Sequence, residues 1–77
     1  MKNHIASSAI LGKVKLGQNI YIGNNVFIGS HSVVLGGTII GNNSVVSAGT
    51  ILRGEKIPKF SLAFGNPAKI YKGYCLI

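Results

Sequence analysis

Only two side chains in this sequence ordinarily change charge near neutral pH, His4 and His31, so a general base acting on a hydroxyl is sought there first. His31 closes the word IGSH, while His4 lies near the start in NHI. The second chemical feature is a surplus of cations: the net charge is +7, and Glu55 is the only acid. Arg53, Lys56, Lys59, Lys69 and Lys72 gather in the last third of the chain. Such a balance suits nucleic acid, anionic lipid or a phosphorylated small molecule. No zinc-ligand spacing, RNA-binding sheet motif or basic helix accompanies these residues, so neither a metal nor a nucleic-acid partner is expected.

Seventy-seven residues make one small domain, below the size at which a single core is comfortably self-sufficient. Hydrophobic residues are 47% of the chain, which excludes a disordered tail. The span from Leu16 to Leu52 has no Lys, Arg, Asp or Glu, as a transmembrane segment would. The pairs Gln18-Asn19, Asn24-Asn25 and Asn42-Asn43 interrupt every such window, and no membrane is expected. The apolar run Ile5 to Leu11 is short and is followed by Lys13 and Lys15, unlike a secretory signal. A lone cysteine, Cys75, cannot form an internal disulfide, which fits a cytoplasmic setting.

The elements that position these groups follow a six-residue word. Stepping by six from Ile10 gives Leu16, Ile22, Ile28, Val34, Ile40, Val46 and Leu52, all aliphatic. Four places after these residues stand Val14, Ile20, Val26, Ser32, Thr38, Ser44, Thr50 and Lys56, small or β-branched except the last. The places between carry Gly or Asn in every hexad but the one holding His31, and these residues tolerate positive φ. A helix cannot generate the pattern, because six residues advance about 600° and scatter one position around its cylinder. Short strands joined by tight corners can, with three hexads per turn and residue n stacked on n+18. The word IGNN at Ile22 and again at Ile40 then places Asn24 over Asn42 and Asn25 over Asn43. The outward places Tyr21, Phe27, Val33, Ile39, Val45 and Ile51 are all apolar, more than an isolated prism would expose. The segment FSLAF, Phe60 to Phe64, is expected to cover one face and neighbouring subunits another.

The stretches IGNNVFIGSHSVVLGGTIIGNNSVVSAGTI and FGNPAKI resemble the hexapeptide-repeat acyltransferases, and within them the galactoside and maltose O-acetyltransferases. The resemblance runs from about Ile22 to Lys72. It implies an all-β, left-handed parallel β-helix of about three coils over residues 1–57, with residues 58–77 as a C-terminal loop and tail. It implies a homotrimer that binds acetyl-CoA in the groove between subunits and transfers the acetyl group to a sugar-like acceptor with a histidine as base. His4 and His31 are the candidates for that base, and the family base likewise belongs N-terminal to the IGNN word. By position Ser30, Ser47, Arg53, Gly54, Lys69 and Lys72 match CoA-contacting places, with small residues admitting the pantetheine amides and cations meeting phosphates. Relatives often carry Thr-Lys where this chain has Arg53-Gly54, and Trp where it has Phe27. Relatives also carry a histidine-rich segment and a loop excursion that this sequence lacks, so it looks like the C-terminal half of a family member. The alternative is a non-catalytic trimeric module with or without residual CoA binding. A γ-type carbonic anhydrase shares the coil but needs three zinc histidines, and only two are present.

Overall fold

The computed structural model describes residues 3–74, and Met1 and Cys75 lie outside the described residues. Twelve short strands make up the regular structure of that span: β1 (His4–Ile5), β2 (Ala9–Ile10), β3 (Lys15–Leu16), β4 (Tyr21–Ile22), β5 (Phe27–Ile28), β6 (Val33–Val34), β7 (Ile39–Ile40), β8 (Val45–Val46), β9 (Ile51–Leu52), β10 (Lys56–Ile57), β11 (Ser61–Phe64) and β12 (Lys69–Lys72). Every third strand stacks in parallel. The first face of the prism is β1-β4-β7-β10, the second is β2-β5-β8-β11 with β12 added antiparallel, and the third is β3-β6-β9. This is the parallel β-helix that the six-residue period dictates.

The inward stacks are Ile10–Ile28–Val46 and Leu16–Val34–Leu52, as the period predicts. Ile22, Ile28, Val34, Ile40, Val46 and Leu52 have no exposed surface. Each such side chain contributes about 1.5–3 kcal/mol by leaving water. The third stack differs from the constant six-residue frame. Ile5 pairs with Ile22 and Ile40 with Ile57, intervals of 17 rather than 18, because Ile5 to Ile10 and Leu52 to Ile57 are each one residue short. The frame placed His4 and Lys56 at inward or corner places. They instead point outward, opposite Tyr21 and Ile39, which spares the core a titratable group and an ammonium.

At the corners the fourth-place residues adopt positive φ: Asn19, Asn25, His31, Gly37, Asn43 and Gly49 lie between 56° and 85°. The asparagine stack forms as predicted, with Asn25 Nδ2 donating to Asn43 Oδ1 at 2.7 Å and the Asn24 backbone N–H donating to Asn42 Oδ1 at 2.7 Å. Gly29 shows why the second place is small: a Cβ there would lie 2.5 Å from the backbone nitrogen of Ala48 in the coil above. The buried hydroxyls tie neighbouring coils together. Ser44 Oγ donates to Pro58 O at 2.9 Å and accepts from Ser61 N, while Ser32 Oγ donates to Ser47 O at 2.9 Å. No buried side-chain nitrogen or oxygen among the described residues lacks a partner.

The FSLAF segment was expected to cover a face, and it does not. It forms β11 and continues the second face, with Leu62 beside Val45 and Ala63 beside Val46. Its alternation explains this, since Ser61 and Ala63 are small enough to point inward and are fully buried. The outward apolar residues are unevenly covered: Tyr21 and Ile39 are exposed, Phe27, Val33 and Ile51 half-buried, and Val45 buried.

Candidate functional site

His4 is held by a paired strand. Its backbone N–H donates to Ile20 O at 3.0 Å, and the neighbouring Asn3 side chain donates to Gly17 O and accepts from Ile20 N. The imidazole lies flat on the Tyr21 ring, centroids 4.5 Å apart and planes within 8°. That contact exists because the shortened first coil sets His4 opposite Tyr21. Both rings line a recess of about 550 Å³ with Asn3, Asn19, Ile20, Gly37 and Ile39. An exposed aromatic ring, an aliphatic wall, an amide and an imidazole suit a small molecule with apolar faces and hydroxyl edges, and the imidazole can accept a proton there.

His31 lies elsewhere. It occupies the corner between the second and third faces at φ 64°, and its Nδ1 is 2.9 Å from Ser30 Oγ. It borders a second recess, of about 470 Å³, with Gly12, Lys13, Val14 and Lys15. The first face and this corner are on opposite sides of the prism, so the two candidate bases are not brought together within one chain.

The residues matched to CoA contacts fall into two groups. Ser30 and Ser47 stand at the same corner in successive coils, where the Gly49 N–H donates to Ser30 O at 3.0 Å and the Ser47 N–H to Ala63 O at 2.9 Å. Arg53 and Gly54 form the corner at the other edge of the third face. The Gly54 N–H donates to Thr38 Oγ1 at 2.9 Å, and Arg53 Nη1 donates to Asn66 Oδ1 at 2.8 Å. These four residues therefore flank the third face, whose outward residues are Lys15, Val33 and Ile51. The Gly65 carbonyl, accepting from Ile51 N at 3.3 Å, closes its upper end. Among the described residues no strand of the third face lies above β9, and the Arg53 backbone N–H donates to the Glu55 carboxylate. The sole acid thus serves as an end cap for the ladder.

Lys69 and Lys72 form the other group. Both are on β12, opposite Phe64 and Ser61 respectively. Side chains alternate along a strand, so residues three apart point to opposite sides. Lys69 shares the outer side with Phe64 and Tyr71, whereas Lys72 shares the side of the buried Ser61. They do not converge on one point. The Asn66–Pro67 peptide bond in the turn before them is cis.

Sequence reasoning did not assign Tyr21 to the site, although it was visible as an outward residue. The interval of 17 was the missing signal. No helix of the described residues is long and apolar enough to cross a membrane, and no group of three or more His, Cys, Asp or Glu gathers among them.

Residues 19–54 match the family model described as bacterial transferase hexapeptide (six repeats). Among solved structures, a Bacillus cereus protein assigned as an acetyltransferase is similar at 21% identity and a TM-score of 0.58, over 95% of this chain and 78% of that one. A mutant of perosamine N-acetyltransferase from Caulobacter crescentus, solved with CoA and GDP-perosamine, gives 20% identity and a TM-score of 0.43. That likeness covers 88% of this chain and 55% of the Caulobacter protein. No curated protein matches the chain.

Proposed function

We propose that this chain, which belongs to the hexapeptide-repeat acyltransferase family, transfers an acetyl group from acetyl-CoA to a hydroxyl or amine of a small sugar-like acceptor. The observation that carries the proposal is the His4–Tyr21 pair in its recess. A histidine N-terminal to the IGNN word, anchored by backbone pairing and stacked on an aromatic ring, is what a general base beside a sugar-sized site requires. His4 takes the proton from the acceptor as its oxygen or nitrogen attacks the thioester carbonyl. It then returns that proton to the sulfur as the carbon–sulfur bond breaks, so the imidazole ends as it began. Proton transfer by such a group supplies about 10²–10⁴-fold of the rate.

The acetyl donor lies along the third face in this reading. Ser30 and Ser47 border it on one side and Arg53 and Gly54 on the other, and Arg53 supplies a cation for the phosphates. Of Lys69 and Lys72, only the one on the donor's side contributes. A homotrimer completes the site, since His4 and the third face belong to different sides of one prism and a neighbour's first face can meet it. The exposed Tyr21 and Ile39 support association, as does the small size of the core. A cytoplasmic setting fits this reading, since the donor it uses is an intracellular metabolite.

Calorimetry of CoA against the assembled protein, followed by an acetyl-transfer assay on a panel of sugars, tests the proposal. Binding with transfer that depends on His4 supports the enzyme. Binding without turnover on any sugar favours a non-catalytic relative, and absence of binding at millimolar CoA leaves an assembly module.

A further inference from the structure

We propose that the recess bounded by Lys13, Lys15 and His31 binds a small dianion, the phosphate of a phosphorylated acceptor. The anion site rests on the recess itself. Its assignment to the acceptor rests on the acetyl-transfer reading above. Neither lysine was among the residues matched to CoA, yet both line this recess of about 470 Å³. Lys13 and His31 hold the same corner place one coil apart, and Lys15 begins the third face two residues on. Three groups able to carry positive charge therefore surround one concavity.

Among the described residues no acidic side chain competes for them. Glu55 is the only acid of the chain, and its carboxylate is engaged by the Arg53 N–H at the far end of the third face. Ser30 Oγ, bonded to His31 Nδ1, fixes the ring and adds a hydroxyl beside it. Gly12 leaves the recess open: a Cβ added there would meet nothing within 4 Å. Lys15 on β3 and Ile51 on β9 are two layers apart, roughly 10 Å at about 4.8 Å per layer. The recess is thus at the opposite end of the third face from Arg53, where the donor's phosphates are placed. An anion held here belongs to the other substrate, which would reach from this recess to the first face of a neighbouring subunit and its histidine, since the first face of the same chain lies on the opposite side of the prism.

Calorimetry at fixed ionic strength, with glucose 6-phosphate, inorganic phosphate and glucose as probes, tests this directly. Glucose 6-phosphate should bind more tightly than inorganic phosphate, and glucose should bind far more weakly than either. Lys13→Ala and Lys15→Ala should each weaken glucose 6-phosphate binding about tenfold, as losing one charge-assisted contact does. Gly12→Asp adds a carboxylate without a clash and should abolish binding while the melting temperature holds. The double variant Lys56→Ala, Lys59→Ala removes two positive charges elsewhere and should leave binding unchanged. An equal loss in that double variant, or no loss in Lys13→Ala, Lys15→Ala and Gly12→Asp, overturns the site. Equal affinity for inorganic phosphate and glucose 6-phosphate overturns its assignment to an acceptor. Should acetyl transfer be absent while phosphate binding keeps this dependence, the transferase reading falls and the anion site stands. Should glucose and glucose 6-phosphate be acetylated equally well by the parent and by Lys13→Ala, the anion assignment falls and the transferase reading stands.

Discussion

Replacing Gly29 by Ala puts one methyl group against the backbone of the next coil. The added Cβ would be 2.5 Å from the Ala48 nitrogen and 2.7 Å from its Cα. Both are backbone atoms, so no side chain can rotate away and the corners must separate. Two hydrogen bonds cross that gap, Gly29 N to Val46 O at 2.8 Å and Gly49 N to Ser30 O at 3.0 Å, and both lengthen. Overpacking costs about 1–3 kcal/mol, and each weakened backbone bond about 0.5–1.5 kcal/mol. The smallest combination is roughly 2 kcal/mol, against a total of about 4–12 kcal/mol for a domain of this size. At about 4 °C or more per kcal/mol for such a domain, the melting temperature should fall by at least about 8 °C. Gly12→Ala is the paired control, because its Cβ meets nothing within 4 Å. It should be neutral or stabilise by about 0.4–1 kcal/mol through the unfolded state. Circular dichroism melts at one fixed protein concentration compare the two. Equal melting of parent and Gly29→Ala, or an equal drop in Gly12→Ala, would refute the argument that coil contact dictates this glycine.

Ile28→Asp should abolish cooperative folding, since an unpaired charge at the fully buried middle of the Ile10–Ile28–Val46 stack costs several kcal/mol; a variant that melts like the parent would invert the register. Ser44→Ala strands Pro58 O and Ser61 N and should cost about 1–3 kcal/mol by denaturant titration; an unchanged midpoint would show that the hydroxyl bridge carries no stability. Arg53→Ala should weaken CoA binding by about 1–3 kcal/mol, and of Lys69→Ala and Lys72→Ala only one should do so, because the two side chains leave β12 on opposite sides. Losses from both lysines would place CoA across the hairpin instead of along the third face.

The coil itself was legible because its cause is a period: eight aliphatic residues six apart admit no other regular structure. The corners were legible for the same reason, since Asn25, Asn43 and Gly49 occupy the positive-φ place their residue types suit. The ends were not read correctly. A constant step of six cannot see that Ile5 and Ile57 close the third stack, where each terminal coil drops one residue. The dipeptides His4-Ile5, Tyr21-Ile22, Ile39-Ile40 and Lys56-Ile57 repeat an outward residue before an inward isoleucine, and they carry that information. Following them would have put His4 on Tyr21. The separation of Lys69 from Lys72 was also within reach, as three residues on one strand always reverse the side. It was missed because Gly65, Asn66 and Pro67 mark the segment as a loop, whereas Lys69–Lys72 returns as a strand against Ser61–Phe64, which directly precedes that turn. The recess at Lys13, Lys15 and His31 depends on coil stacking and becomes visible only when residues 18 apart are read together.

The central claim is that His4 is the base of an acetyl transfer, and single-turnover acetylation by the parent and by His4→Ala tests it most directly. Both proteins would be saturated with radiolabelled acetyl-CoA and offered the sugar that the parent uses best. The account predicts transfer slower by about 10²–10⁴-fold in His4→Ala, with CoA affinity unchanged. Transfer at the parent's rate in His4→Ala, with CoA bound equally well, would contradict it.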